Sequence, residues 1–231
     1  ATRPLLEEGA DVFIRFNEAI PILKKVIAAE TRQSGTLSLP EAKRFDKLVS
    51  SRKPFGLETK FKGKTNKHGG DVLVYQNGGA GYTPRSAITV GAELIDSWKV
   101  FISKAYGAGS DPMPSRVLGR SFVGEPGSIS TETYLCIGPL SSKSEADSVS
   151  SYLACRLIRF LVLMHKPSQD ATRKVYTFVP SQEWTKQWTD ADLYAKYGLT
   201  ASEIAFIEKI VRPMDLASNL LEDVTVVEED E

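Results

Sequence analysis

The chain has 231 residues, enough for one large domain or a domain with an appendage, and its core need not be marginal. It is 42% hydrophobic and 25% charged, as soluble globular proteins are, and no apolar run approaches the roughly 18 residues of a membrane span. The net charge of zero, from 29 basic and 29 acidic side chains, hides a polarity: 12 acidic and 4 basic residues follow from Glu183 onward, so residues 1–182 carry +8.

In chain order, Val12, Phe13, Phe16, Ala19, Ile20, Leu23, Val26 and Ile27 recur at helical spacing and predict an amphipathic helix over 11–29, with Pro21 kinking it or opening a second helix. A linker follows from Thr31 to Leu39. Pro40 suits a first helical turn, and Phe45, Leu48 and Val49 give that helix a short apolar face. From Ser50 the texture turns loop-like and basic. Val72–Tyr75 reads as a strand between Gly70 and the Asn77-Gly78-Gly79 turn, and Trp98–Ser103 as another. Paired short strands are expected over Gly124–Gly138 around Pro126-Gly127, with Thr133–Ile137 the best of them. One long helix over 142–166 comes next, capped by Ser142 or Ser144, with Ala146, Val149, Tyr152, Leu153, Leu157, Phe160 and Leu161 on its apolar face. Arg159 interrupts the run from Leu157 to Met164. Val175–Val179 is predicted as a last strand. Thr189-Asp190-Ala191-Asp192 and Thr200-Ala201-Ser202-Glu203 are capping-box starts for helices over Leu193–Tyr197 and Ile204–Val211. The tail from Ser218 reads as disordered.

Most catalytic chemistry lacks its residues here. No Walker or dinucleotide glycine loop is present. Two cysteines, Cys136 and Cys155, make neither a disulfide framework nor a metal cluster, and both are expected to be buried thiols in a reducing, cytoplasmic setting. His68 and His165 read as solvated or capping side chains, which leaves little room for a catalytic triad or a zinc site. One constellation remains. Asp46, Glu58 and Lys60 have the acid-then-Glu-x-Lys order of Mg²⁺-dependent nucleases, although Asp46 falls on a predicted helix.

Nucleic-acid binding is better supplied. Lys60, Lys62, Lys64 and Lys67 lie within eight residues and alternate with small or polar ones, so that in a loop or β-ribbon they can neutralise successive phosphates. Reading bases takes arginine forks or side chains with donors and acceptors, carried on elements that reach a groove. The candidates are Arg52, Lys53, Ser103, Lys104, Tyr106, Arg116, Arg120, Gln169, Asp170 and Arg173, which fall in loops between predicted strands or, for Ser103, at a strand end.

Several runs together resemble the C-terminal region of DNA adenine-N6 methyltransferases from bacterial restriction-modification systems, of the type II and combined restriction-and-methylation classes. They are Phe13-Ile14-Arg15-Phe16-Asn17-Glu18-Ala19-Ile20-Pro21-Ile22-Leu23, Ser51-Arg52-Lys53-Pro54-Phe55-Gly56-Leu57 and Lys99-Val100-Phe101-Ile102-Ser103-Lys104-Ala105-Tyr106-Gly107. Glu132-Thr133-Tyr134-Leu135, Tyr176-Thr177-Phe178-Val179-Pro180, and the stretch from Trp188 through Tyr197-Gly198-Leu199 to Glu208 complete the set, which reaches about Asp215. Glu58 departs from the pattern, where a neutral or basic residue is expected beside DNA.

The resemblance implies a target recognition domain that holds double-stranded DNA and positions one adenine for a catalytic domain outside this chain. That N-terminal methyltransferase domain of the same polypeptide would bind S-adenosylmethionine and carry the Asn-Pro-Pro-aromatic motif, neither of which has residues here. The chain itself would need no cofactor and catalyse nothing. The expected fold is α+β: a mixed or mostly antiparallel curved sheet with a long packing helix, similar to type I and type II target recognition domains. The expected divisions are a helical connector over 1–35, a recognition domain over 36–180, a helical segment over 181–215 and an acidic disordered tail over 216–231. Two other readings stand beside it. One is the Mg²⁺-dependent endonuclease through Asp46, Glu58 and Lys60. The other is a protein-interaction module without DNA binding, for which the charges of Lys60–Lys67 would be dispensable.

Overall fold

The computed structural model describes residues 3–32, 35–105, 113–166 and 171–214. Six strands form two three-stranded sheets: β1 (Asp71–Gln76), β2 (Gly79–Pro84), β3 (Trp98–Ser103), β4 (Ser121–Gly124), β5 (Ser128–Ser130) and β6 (Tyr134–Leu140). The outer sheet has the order β2-β1-β5, with β1 and β2 an antiparallel hairpin and β5 parallel to β1. The central sheet, β4-β3-β6, is antiparallel throughout. Five α-helices complete the described residues: α1 (Ala19–Thr31), α2 (Lys143–Ala154), α3 (Arg156–His165), α4 (Asp190–Lys196) and α5 (Ala201–Ile210). The chain is therefore α+β, with two small sheets where the sequence predicts one curved sheet. None of the helices is long and apolar enough to cross a membrane.

The alternation of side chains along β3 sets the layering. Val100 and Ile102 face one apolar cluster, shared with α1, α2, α3 and α5, while Phe101 faces a second, shared with Val72 and Val74 of β1 and Ile129 of β5. The pattern repeats on β6, where Leu135 and Ile137 face the helices and Cys136 faces the outer sheet. The central sheet thus carries helices on one face and the outer sheet on the other. The first cluster also draws Leu193 and Tyr197 into the same core as Ile22 and Leu23, so connector, body and C-terminal segment share it.

The second cluster is aromatic. Tyr75, Phe101, Phe122 and Tyr134 form a chain of tilted and edge-on rings with centroids 4.8–5.5 Å apart. Gly124, opposite Lys99 in the register, makes this possible, because a Cβ there would lie 2.3 Å from the Phe101 ring and 2.9 Å from the Lys99 stem. Lys99 itself is fully buried, and its Nζ donates to the carbonyls of Ile95 (3.0 Å), Glu125 (3.2 Å) and Ser128 (3.1 Å). A β3 side chain thereby reaches into β5 and ties the two sheets together.

Several expectations change in three dimensions. The strands around Pro126-Gly127 do not pair with each other: β4 joins the central sheet and β5 the outer one. The long helix over 142–166 breaks at Cys155, although its apolar face runs through. Ser142 caps α2 by accepting from the Glu145 N–H, and α3 receives its cap from far away in sequence: the Asp190 carboxylate accepts from the N–H of Arg156 (2.6 Å) and of Leu157 (3.4 Å). Arg159 is buried inside the apolar run, where it donates to the Ala154 and Arg116 carbonyls. Val175–Val179 is not a strand. Residues 173–176 form a 3-10 turn, since Val175, Tyr176, Phe178 and Val179 are buried at helical and not alternating spacing. The helix predicted after Pro40 is likewise two 3-10 turns, Glu41–Lys43 and Phe45–Lys47. The first helix begins only at Ala19, with Pro21 in its first turn, where no N–H is required. Both capping boxes form, at Thr189 and Thr200. Cys136 and Cys155 are buried free thiols. The acidic tail, from residue 215 on, lies outside the described residues.

Replacing Lys99 by Met keeps the stem and strands three buried carbonyls, which should destabilise the fold by on the order of 3 kcal/mol in urea denaturation. Burial pulls the Lys99 ammonium down to about 8 from an unfolded value of 10.5. Between those values the unfolded chain keeps a proton that the folded one releases. Relative to Lys99→Met, the wild type should therefore gain stability as pH rises from about 8 toward 10.5 and lose it as pH falls through the same window, which urea denaturation across a pH series checks.

Candidate nucleic-acid interface

Beyond the free edge of β2, the segment carrying the lysines runs alongside it. Lys64 and Tyr82 exchange both main-chain hydrogen bonds at 2.8 Å, in antiparallel sense. This approach needs two glycines facing each other, for a Cβ on Gly63 would lie 2.7 Å from the Tyr82 nitrogen and one on Gly81 would lie 2.9 Å from the Gly63 main chain. The Gly63 N–H is satisfied by the Gln76 side chain at 2.7 Å. Leu57 and Phe61 anchor the segment by packing on the aromatic cluster. Lys60, Lys62, Lys64 and Lys67 are all exposed, with Lys62 Nζ donating to the Asn77 carbonyl at the hairpin turn. The predicted basic loop is a short ribbon fixed to a sheet edge.

Glu132, buried between β5 and β6, joins this ribbon to the rest of the basic surface. One oxygen accepts from the N–H and hydroxyl of Thr59 (3.4 and 3.3 Å), and the other lies 3.3 Å from Arg52 Nε. Burial raises its carboxyl, and the Thr59 N–H with the charges of Lys104, Lys53 and Arg52 outweighs this and holds it below the usual value. Glu58 lies between Lys53 Nζ (3.0 Å) and Lys60 Nζ (3.6 Å). Its hydrogen bond to Lys53 and the two positive charges lower its carboxyl. Lys104 follows β3, its N–H donating to the Thr133 carbonyl, and Ser103 ends β3 opposite Tyr134. Arg120 precedes Ser121, the last partner of β3 on β4, so Ser103, Lys104 and Arg120 stand at one end of the central sheet.

Arg173 is placed elsewhere, in a cleft of about 550 Å³ that Arg52 also lines. Asp46 sits there 4% exposed, bound through both oxygens by Arg44 at 2.8 and 2.7 Å. Asp46 and Glu58 thus have different partners, and Lys60 pairs with Glu58 alone, so the nuclease-like constellation does not assemble around a common point. Among the described residues no group of three or more His, Cys, Asp or Glu could hold a metal ion. Arg116 lies apart from this surface, between Ser115, which bonds to the end of α5, and the Arg159 contact. Tyr106, Gln169 and Asp170 lie outside the described residues. His68 is exposed in the basic ribbon, as expected. His165 is neither solvated nor a cap: it is 4% exposed, its Nε2 lies 2.7 Å from Asp11, and its ring packs edge-on against Phe178.

Sequence reasoning missed Arg44, Lys174 and Glu132. No local pattern marks them, because each acquires its place from segments far away in the chain. Comparison with protein-family models, with curated proteins and with solved structures gives no match.

Glu132→Gln should loosen the 57–60 segment, read as faster hydrogen exchange at the Thr59 amide. The depressed carboxyl stabilises the fold above its unfolded value and loses that contribution as pH falls through the folded one, so acidification through the range below the ordinary glutamate value should loosen the wild type in the same place. The Glu132→Gln variant should not respond.

Proposed function

We propose that this chain recognises double-stranded DNA, as the target recognition region of a bacterial restriction-modification adenine-N6 methyltransferase acting in the cytoplasm. The observation that carries the reading is the lysine ribbon: four exposed lysines on one segment, held to a sheet edge where Lys64 bridges Tyr82. Arg52, Lys53 and Lys104 adjoin it through Glu132. The ribbon would grip the backbone, which gives affinity and register without sequence information. Ser103, Lys104 and Arg120, at the end of the central sheet, offer the hydroxyl donors and acceptors and the cationic groups that base edges require. The helical layer behind that sheet would support it and face the N-terminal methyltransferase domain, which supplies S-adenosylmethionine and receives the extruded adenine. On this reading the chain positions DNA and performs no bond chemistry.

The test is fluorescence anisotropy of the chain with random duplex DNA across a salt series, alongside a variant with Lys60, Lys62, Lys64 and Lys67 all changed to Ala. Binding should be micromolar or weaker and fall steeply with salt. Each lost phosphate contact removes about 0.9 from the logarithmic slope, so the fourfold variant should lose up to about 3.6. A slope untouched by the four substitutions, or no binding at the lowest salt, would remove the reading.

A further inference from the structure

The cleft that Arg173 lines has a composition of its own. Its walls come from three parts of the chain: the N-terminal segment at Gly9, Asp11, Leu37 and Ser38, the region of Arg44, Asp46 and Arg52, and the residues from Thr172 to Phe178. Four cationic and two anionic side chains line it, a net of +2. Cavities of roughly 300–1,000 Å³ are the size range of small-molecule sites, and this one measures about 550 Å³.

The charges are arranged unequally. Arg44 is engaged by Asp46 through two hydrogen bonds, and the pair is neutral. Lys174 lies 3.3 Å from Asp11, whose other oxygen faces His165. Arg173 differs. Its Nε donates to the main-chain carbonyl of Asp46 at 2.9 Å and stands 4.0 Å from the carboxylate, which fixes the plane of the guanidinium. Its two terminal nitrogens have no partner among the described residues, although the side chain is only 47% exposed. A guanidinium oriented through one nitrogen with its terminal donors free suits a tetrahedral oxyanion, which it can meet with two parallel hydrogen bonds. Arg52, on the rim, adds a second cationic side chain, and its acidic partner Glu132 stands outside the lining.

We propose that this cleft binds a phosphoryl group attached to a small organic body, of the class of a nucleoside monophosphate. A phosphate monoester carries about −1.5 to −2 at neutral pH, opposite in sign to the net charge of the lining. The phosphoryl group meets the Arg173 fork, and the space toward Leu37 takes the remainder of the molecule. The same chemistry is present in a nucleotide of a DNA strand, and the inference stands on the cleft alone, independent of DNA binding by the lysine ribbon.

The experiment titrates the chain with inorganic phosphate, with adenosine 5′-monophosphate and with a short duplex lacking terminal phosphates, following arginine Nε–H signals by NMR. Saturable binding of phosphate at a dissociation constant on the order of 1 mM is expected, with the Arg173 signal moving most. Arg173→Gln should weaken it about tenfold, Arg173→Lys should weaken it less by keeping the point charge, and Lys60→Gln should leave it unchanged. Thermal melting of each variant separates lost binding from lost folding. Tighter binding of the monophosphate than of phosphate assigns the site to free nucleotides, whereas displacement of phosphate by the duplex assigns it to the DNA backbone. Either supports a phosphoryl site. The proposal falls if phosphate and monophosphate fail to saturate, or if folded Arg173→Gln binds them as the wild type does. Failure here leaves the salt dependence of the lysine ribbon unaffected, and the reverse also holds.

Discussion

The ammonium of Lys99 is the contact on which the arrangement of the two sheets depends. It stands on the central sheet and donates to three carbonyls around the outer one, including that of Ser128 in β5. A charge without partners in that position would cost several kcal/mol, and three carbonyl acceptors for three N–H donors meet its requirement. Because β5 pairs with β1 and β1 with β2, the lysine ribbon beside β2 inherits its position from this buried lysine. The aromatic chain from Tyr75 to Tyr134 fills the same gap without direction, and the ammonium supplies the direction.

Elements whose information is local were legible in the sequence. Val72–Tyr75 and Trp98–Ser103 have β-branched or aromatic side chains between turn residues, and both are strands. The capping boxes at Thr189 and Thr200 contain their own hydrogen-bond partners and form as expected. What was illegible depended on distant partners. The helix break at Cys155 rests on Asp190, which lies 34 positions beyond the Arg156 amide it caps. The strand Gly79–Pro84 has only Tyr82 and Thr83 as β-forming side chains, among two glycines and a proline, and its existence follows from the hairpin turn and from β1. Arg159 interrupts an apolar run, and its burial is explained only by the carbonyls of Ala154 and the distant Arg116 to which it donates.

The candidate interface divides along the same line. The lysines at 60, 62, 64 and 67 declare themselves by density alone. Their support does not: Glu132, Gln76 and the facing glycines Gly63 and Gly81 become meaningful only once β1, β2 and β6 are in place. The cleft is less legible still, because Arg44 and Arg173 are brought to one aspartate by the packing of two 3-10 turns that periodicity cannot distinguish from a helix and a strand. Acidic residues inside a basic surface reduce its net charge, but they also lower the conformational freedom that long side chains lose on binding.

The contact between Gly63 and Gly81 has a second consequence, for self-association. The outer edge of β2 would otherwise present unpaired main-chain groups, a template on which another copy could add a strand. Lys64 takes up both groups of Tyr82, and the next edge outward is a short one studded with like charges. A sheet that ends in repelling lysines resists growth into an aggregate. The segment proposed to face DNA thus also shields the edge of β2 at Tyr82.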